Sequence, residues 1–331
     1  MIKTAMACVG VVLVVIFTRP FWGGTATTET PAVVPVIRIA VSQTPLSSAF
    51  FIAQSKGMFK AKGLNVELVP CRGGVHCVDM LLEYKVDLAT ASETVFMFQS
   101  FRHPELRLLT SFVESSNDVK LLTLKGNGIN SVDDLLGKKV GVIKGSASEF
   151  FLDSLLILNG LEIARVDRGF YSQNQLVDAL IKQEVNAISG WEPLGYELNI
   201  TRPEQVRQLQ SDGVYNLSFN LIAQQPNMPN QAVLAALLGA IEQANLMLTS
   251  YPKRSQALVS EHLNVPFEQL SWSWSDYLFR LSLGNALLSN LQTQARWAMD
   301  QGLVESQEIP DFRSMLVWQL SDPVSAIAGP Q

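Results

Sequence analysis

The sequence predicts an α/β protein of two lobes, each a sheet flanked by helices, with two hinge crossings between them. Residues 36–99 alternate short apolar strands with helices, and each strand ends in small or polar residues just before a helix. A second strand–helix series starts afresh near residue 131, and the chain turns mainly helical beyond residue 230. With 331 residues, the chain suits two domains better than one.

The first series begins with alternating apolar residues from Ile37 to Val41, which is typical of a half-buried strand. The next segment has an apolar helical face and ends near Gly57, where glycine favours a helix end. By the same patterns we expect helices at 47–56, 75–84 and 92–101, and strands at 37–41, 64–69, 86–91, 106–113 and 120–124.

The second series opens with a capped helical turn from Ser131 to Gly137. Strands are then predicted at 139–143, near 166, at 185–189 and at 219–223, with helices ending at 158 and spanning 173–182. Further helices follow at 231–249, 252–262 and 285–301, and a short one after Pro310. We therefore expect one lobe from 36–117 and 219–331, and an inserted second lobe from 118–218.

The amino terminus carries an apolar run, Ala5–Phe17, between Lys3 and Arg19. A bilayer span needs ~20 residues, so this run suits the core of a signal peptide, with Gly24–Ala26 as a cleavage site. The alternative is an uncleaved anchor extended by residues 18–22, and residues 25–35 form a polar tether in either case. Both alternatives place residues 36–331 in the periplasm or on the outer face of the cytoplasmic membrane.

Export changes the interpretation of Cys71 and Cys77, the two cysteines of the mature part. In an oxidising compartment such a pair indicates a disulfide, which here ties the Gly73–Gly74 loop to the next helix. The rival interpretation is a metal site that includes His76, but three ligands within seven residues and no fourth nearby fit zinc poorly. The sequence therefore predicts a disulfide and no metal.

Composition and motifs argue against two functional classes. Only 17% of residues are charged, the net charge is −5 and no run of lysine or arginine stands out, so we expect no nucleic-acid partner. The sequence has three histidines, none beside a candidate nucleophile, and it contains no Gly-x-Ser-x-Gly or phosphate-loop pattern. We therefore expect a protein without catalytic residues or a cofactor.

Small and hydroxyl residues stand where predicted strands lead into helices. The carboxyl ends of strands in an open α/β sheet line a crevice where ligands bind. Helix starts also attract anions through free N–H groups and the helix dipole, although a serine there is explained equally well as an N-cap. The candidate ligand-binding residues at these helix starts are Thr44, Ser47, Ser48, Gly73, Gly74, Ser92, Ser146, Ala147 and Ser148.

Three larger side chains at the same strand ends are further candidates. Glu93 and Glu192 both follow predicted inner strands, and each is expected to meet an amine or ring N–H of the solute, to pair with a lysine or arginine of the protein, or to point to solvent. Trp191 is expected to stack on the solute or to pack in the core. The sequence leaves these alternatives open.

Several segments resemble a known family. They are residues 51–59 with 62–66, Gly73–Gly74 with 86–89, 131–146, the block Trp191–Pro193, and 295–303. Their order and spacing resemble those of bacterial solute-binding proteins of the nitrate, sulfonate, taurine and thiamine-pyrimidine type, which serve ATP-driven ABC importers. The similarity spans about residues 36–315.

The resemblance implies a monomeric, class II periplasmic binding protein that closes like a Venus flytrap on a small anionic or zwitterionic solute. Its partner is then an inner-membrane ABC permease. Two alternatives remain: a membrane-tethered sensing module, and an enzyme related to thiamine-pyrimidine synthesis. The enzymes of that kind carry a cysteine-rich block that Cys71 and Cys77 do not reproduce.

Overall fold

The computed structural model describes residues 35–211 and 213–318, which form two β-sheets with helices packed against them. The predicted amino-terminal signal or anchor lies outside the described residues. The strands are β1 (Val36–Ser42), β2 (Asn65–Cys71), β3 (Leu88–Ser92), β4 (Leu106–Ser115), β5 (Val119–Leu124), β6 (Lys139–Val142), β7 (Asp167–Phe170), β8 (Ala187–Trp191), β9 (Val206–Gln208), β10 (Leu217–Gln224) and β11 (Leu278–Ser282).

The helices lie between these strands and after β10. They are α1 (Ser48–Ser55), α2 (Met58–Ala61), α3 (Gly73–Leu82), α4 (Glu93–Ser100), α5 (Ala147–Leu158), α6 (Gln173–Ile181), α7 (Leu194–Thr201), α8 (Gln231–Ser250), α9 (Pro252–Leu263), α10 (Phe267–Ser273), α11 (Asn285–Asp300) and α12 (Phe312–Met315).

The first sheet has six strands in the order β11-β4-β10-β3-β1-β2, and the second has five in the order β7-β6-β8-β5-β9. The chain passes from the first sheet to the second between Ser115 and Val119, and it returns between Gln208 and Leu217. This arrangement confirms the predicted α/β class with two sheets. The lobe boundaries at residues 117 and 218 remain a prediction.

Parallel pairing brings the carboxyl ends of three strands to one edge of the first sheet. Strand β1 pairs in parallel with both β2 and β3. At that edge the N–H of Gln43 donates to the carbonyl of Cys71. Gly74 packs closely there, because a Cβ at this position would lie 2.9 Å from Cα of Ala91. The starts of α1, α3 and α4 therefore share one edge.

The second sheet repeats this arrangement with fewer strands. Strand β6 pairs in parallel with β7 and β8, so the starts of α5, α6 and α7 follow the same edge. Among the described residues, α8 is the one helix long and apolar enough to cross a membrane. Its residues Leu237, Ile241 and Leu248 are fully buried, as expected for the core helix of a globular protein.

Cys71 and Cys77 form a disulfide, with their Cα atoms 5.3 Å apart. The bond joins the end of β2 to the first turns of α3. Its position is the one that the sequence predicted, and the sulfur atoms that the alternative metal site required are used in this bond. His76 accepts a hydrogen bond from the backbone N–H of Arg72.

We expect the double variant Cys71→Ala/Cys77→Ala to lose about 2 kcal/mol of unfolding free energy. The reason is the greater chain entropy of the unfolded state when a short loop is no longer closed. Guanidinium denaturation of both proteins, with and without dithiothreitol, measures the effect. Reductant should lower the midpoint of the wild type and leave the variant unchanged; equal midpoints for the oxidised wild type and the variant would contradict the expectation.

Candidate functional site

Three hydroxyl groups at the carboxyl end of β1 have no hydrogen-bond partner among the described residues. They belong to Ser42, Thr44 and Ser47, and all three oxygen atoms are buried. The Ser42 and Ser47 residues are 0% exposed. A buried polar group without a partner costs about 1–3 kcal/mol. This group, which we call the β1 hydroxyl cluster, is therefore suited to hold a bound polar molecule.

The other predicted residues at this edge already have partners or lack side chains. The Ser48 hydroxyl donates to the carbonyl of Pro45 at 2.5 Å. The Ser92 hydroxyl accepts the N–H of Val95 at 3.4 Å and so acts as the N-cap of α4. Gly73 and Gly74 open α3 beside β3, where they provide close backbone packing.

Ser146, Ala147 and Ser148 form the start of α5 on the second sheet, and their polar groups bond locally. The Ser146 hydroxyl donates to the carbonyl of Ile143 at 2.6 Å and accepts the N–H of Ser148 at 3.2 Å. The Ser148 hydroxyl accepts the N–H of Ile143 at 3.0 Å. A solute that binds to these hydroxyls must therefore replace existing hydrogen bonds.

Glu149 supplies a carboxylate of the protein itself at the same helix start. One of its oxygens accepts the N–H of Gly145 at 2.7 Å. Burial raises the pKa of Glu149, against the hydrogen bond from Gly145 and the charge of Arg168. An anion at the start of α5 therefore has to approach this carboxyl group.

Glu192 lies at the end of β8 in a buried charged group that we call the Lys120 cluster: Asp118, Lys120, Glu192 and Asp276. Lys120 Nζ is 3.3 Å from Glu192 Oε1 and 3.3 Å from Asp276 Oδ2. Trp272 Nε1 donates to Glu192 Oε1 at 3.0 Å. Because Lys120 is on the second sheet and Trp272 on α10, this cluster joins the two halves of the fold.

Asp118 lies in the same cluster, on the segment that leads from β4 to β5. Burial raises the pKa of Asp118 to about 7, and the charge of Glu192 adds to the rise. The Tyr277 hydroxyl donates to Asp118 Oδ1 at 3.0 Å, which acts in the opposite direction. The Asp118 carboxyl therefore titrates near neutral pH at a crossing between the sheets.

Trp191 is partly buried, and its carbonyl accepts a hydrogen bond from Gln173 Nε2 at 2.8 Å. Gln173 opens α6, and its Oε1 atom is buried without a partner among the described residues. The second sheet thus offers one unused acceptor near Trp191. The sequence analysis overlooked Ser42 and Gln173, although both stand at ends that the strand-to-helix rule covers.

Glu93 is fully buried and is bound by neutral groups of the protein. The Tyr215 hydroxyl and Gln294 Nε2 donate to Oε1, the latter at 3.0 Å, and the N–H of Ser218 donates to Oε2 at 2.8 Å. Burial raises the pKa of Glu93 against these hydrogen bonds. Glu93 thus ties α4 to β10, to α11 and to the crossing before β10.

A cavity of about 470 Å³ opens between α5, α11 and residues 214–218. Aromatic rings of Phe150, Tyr215 and Trp297 line it, and Arg280 and Glu114 stand among its polar residues. None of the twelve predicted ligand-binding residues lines this cavity. Those twelve residues instead form two groups, one at the carboxyl edge of each sheet.

The two groups lie on adjoining parts of the fold. A Cβ at Gly145, before α5, would lie 3.9 Å from the ring of Phe98 on α4. Trp297 Nε1 of α11 donates to Asp153 Oδ2 of α5 at 2.8 Å. Trp272 of α10 also donates to Glu192 at the end of β8. Helices packed on the first sheet therefore contact the second half of the fold at two places, α5 with the turn before it and the end of β8.

Comparison with known proteins finds two similarities in sequence. A family model described as NMT1/THI5-like matches residues 44–255. The chain is 27% identical over 237 residues to a Haemophilus influenzae protein named for thiamine biosynthesis, which covers 69% of this chain and 74% of that protein.

Two solved structures resemble the fold. The periplasmic aliphatic sulphonate-binding protein SsuA from Escherichia coli superposes with a TM-score of 0.76 and 19% identity, covering 85% of this chain and 91% of that one. The desulfurization enzyme DSZB superposes with a TM-score of 0.64 and 16% identity, covering 85% and 96%. At such low identity these two comparisons show a shared fold and nothing further.

Proposed function

Since the chain belongs to the NMT1/THI5-like family, we propose that it is an extracytoplasmic solute-binding protein that delivers a small solute to an ABC importer. The fold, which is that of periplasmic binding proteins, supports this proposal. The sulphonate-binding protein from Escherichia coli shares it. In this proposal, residues 36–117 with 219–331 and residues 118–218 are two lobes that close around the solute.

The β1 hydroxyl cluster is the observation that carries the proposal. Its three unpartnered hydroxyls offer donors to an oxygen-rich group such as a carboxylate or a sulfonate. On the second sheet, Gln173 Oε1 offers an acceptor for an N–H group. A solute that satisfies both carries an oxygen-rich group and an N–H group, as a zwitterion or a ring with an amine does, whereas a plain anion would use the hydroxyls alone.

The solute is to be identified by native mass spectrometry of the protein as purified, followed by isothermal titration calorimetry. The panel consists of aliphatic sulfonates, taurine, nitrate and aminopyrimidines. A dissociation constant near 1 μM corresponds to about −8 kcal/mol, which one cleft supplies easily. Absence of both a co-purified solute and measurable binding across the panel would count against a transport role.

We expect the double variant Ser42→Ala/Ser47→Ala to weaken binding of that solute by about 100-fold. Each hydroxyl that bonds a charged solute contributes ~1.5 kcal/mol or more, and about 1.4 kcal/mol is a tenfold change in affinity. The matched control is Ser48→Ala, because the Ser48 hydroxyl already donates to Pro45. An unchanged affinity in the double variant, measured by the same calorimetry, would remove the β1 hydroxyl cluster from the site.

A further inference from the structure

We propose that a basic face of this protein, formed by Lys56, Lys60, Lys62, Lys253 and Arg254, rests on the surface of an anionic lipid bilayer. The inference goes beyond solute binding and does not depend on which solute is bound. It rests on three observations, which are unpaired charge, exposed apolar side chains between the charges, and the place where the chain enters the fold.

The five cations of the basic face are exposed and unpaired. They stand just after α1, on and after α2, and at the start of α9. Within residues 35–211 and 213–318, none of them lies within 4.0 Å of a carboxylate. Other exposed cations of the described residues are mixed: Arg38, Lys85 and Lys182 pair with carboxylates, whereas Arg72, Lys125 and Arg165 do not, so it is the grouping of five unpaired cations that distinguishes this face. This face is therefore positive on a protein of net charge −5.

The cations converge on the same surface. Lys56 and Arg254 line one open hollow of about 560 Å³ between α2, α8 and α9. Lys60 lines a neighbouring hollow with Gly57 and Leu64. Lys62 Nζ reaches α8, where it would lie 3.7 Å from a Cβ at Gly239. Glu242 is the exposed acidic residue on the nearby turn of α8, so the positive charge is in excess.

Apolar side chains stand among these charges. Tyr251 is 63% exposed and Leu246 is 60% exposed, and both line the hollow shared by Lys56 and Arg254. A basic surface with tyrosine and leucine suits the headgroup region of a bilayer, where the cations meet lipid phosphates and the apolar groups enter the interface.

The entry point of the chain lies beside the same face. Val36, the first residue of β1, pairs in register with Asn65, the first residue of β2, and Asn65 lines the hollow with Lys60. Residues 25–35 precede this point, and eleven residues extend at most about 40 Å. If the apolar run at residues 5–17 is retained in a bilayer, this short tether holds the basic face near the membrane.

The test measures protection of native lysines on the full-length chain. Acetylation by an N-hydroxysuccinimide ester is followed by mass spectrometry, with vesicles of phosphatidylglycerol and phosphatidylcholine or of phosphatidylcholine alone. The apolar run at residues 5–17 can insert into both kinds of vesicle, so a difference between them reports the effect of lipid charge. We expect anionic vesicles to slow modification of Lys56, Lys60, Lys62 and Lys253 at least fivefold, and to leave Lys125 and Lys182 within twofold. Equal rates at all six lysines would overturn the proposal.

A pair of matched variants separates charge from fold. Lys60→Glu/Lys253→Glu is expected to lower partition onto the anionic vesicles at least tenfold, with an effect that fades at high salt. Lys125→Glu/Lys182→Glu, on the second sheet, is expected to leave it unchanged. Both double variants should keep the solute affinity, so a failure of the membrane proposal can be told apart from a failure of the proposed transport function. Protection only by membranes that contain the permease, with none by lipid alone, would overturn the proposal in favour of a protein partner.

Discussion

Replacing Glu93 with leucine is expected to lower the free energy of unfolding by about 4 kcal/mol. Leucine leaves the Tyr215 hydroxyl, the Ser218 N–H and Gln294 Nε2 without their acceptor in the interior. Each buried donor without a partner costs ~1–3 kcal/mol. Guanidinium denaturation followed by circular dichroism and by tryptophan fluorescence measures the loss.

The exposed Glu242 on α8 supplies the matched control for this prediction. Among the described residues its side chain has no hydrogen bond or ion pair, so Glu242→Leu should change stability by less than ~0.5 kcal/mol. Glu93→Gln keeps one acceptor oxygen and should fall between the two. If Glu93→Leu unfolded at the same denaturant concentration as the wild type, the buried acceptor role of Glu93 would be wrong.

Replacing Asp118 with asparagine is expected to stabilise the protein above neutral pH by up to about 4 kcal/mol, and to have no such effect below pH 4. The pKa of Asp118 is raised from 3.8 to about 7, so the folded state holds a proton that the unfolded state releases. Stability therefore falls as the pH rises from 3.8 to 7, at ~1.36 kcal/mol for each unit. Asparagine carries no charge to desolvate, and its oxygen still accepts the hydrogen bond from Tyr277.

Denaturation curves at several pH values between 3.5 and 8.5 test the effect of Asp118, compared with wild type. Asp134 provides a contrast of opposite sign, because hydrogen bonds from the N–H groups of Asn130 and Ser131 lower its pKa. Asp134→Asn should therefore lose stability relative to wild type above the pKa of the unfolded state, and approach it as the pH falls. A pH-independent difference between Asp118→Asn and wild type would contradict the assignment.

The alternating strands and helices of the chain were predictable because local periodicity determines them. Strand β11 was missed since its outward residues Leu278 and Arg280 are exposed, so it lacks an apolar pattern. Helix α7 was missed because it opens directly after Pro193 and contains Gly195. The three residues of β9 are too few to show any period.

The candidate site remains a prediction; the sequence indicated which residues stand at the strand ends, but only part of their hydrogen bonding. The rule that ligands bind at strand carboxyl ends pointed to Thr44 and Ser47, whose hydroxyls have no partner among the described residues. The rule could not distinguish these two residues from Ser48, Ser146 and Ser148. The hydroxyls of those three serines form hydrogen bonds with nearby backbone groups, and such bonds depend on a turn geometry that the sequence pattern does not show. The partners of Glu93 lie 122 to 201 residues further along the chain, beyond any local pattern.

The order of strands in the first sheet has a consequence for how the molecule is made. Strand β10 sits between β3 and β4, although residues 217–224 are synthesised about a hundred positions after β4 ends. A nascent chain that has not yet reached residue 217 leaves β3 and β4 with open hydrogen-bonding edges, which invite aggregation. The strands of the five-stranded sheet, β5 to β9, all precede residue 217, so this sheet can form first. Once folded, it brings β10 close to β3 and β4 and so favours completion of the six-stranded sheet.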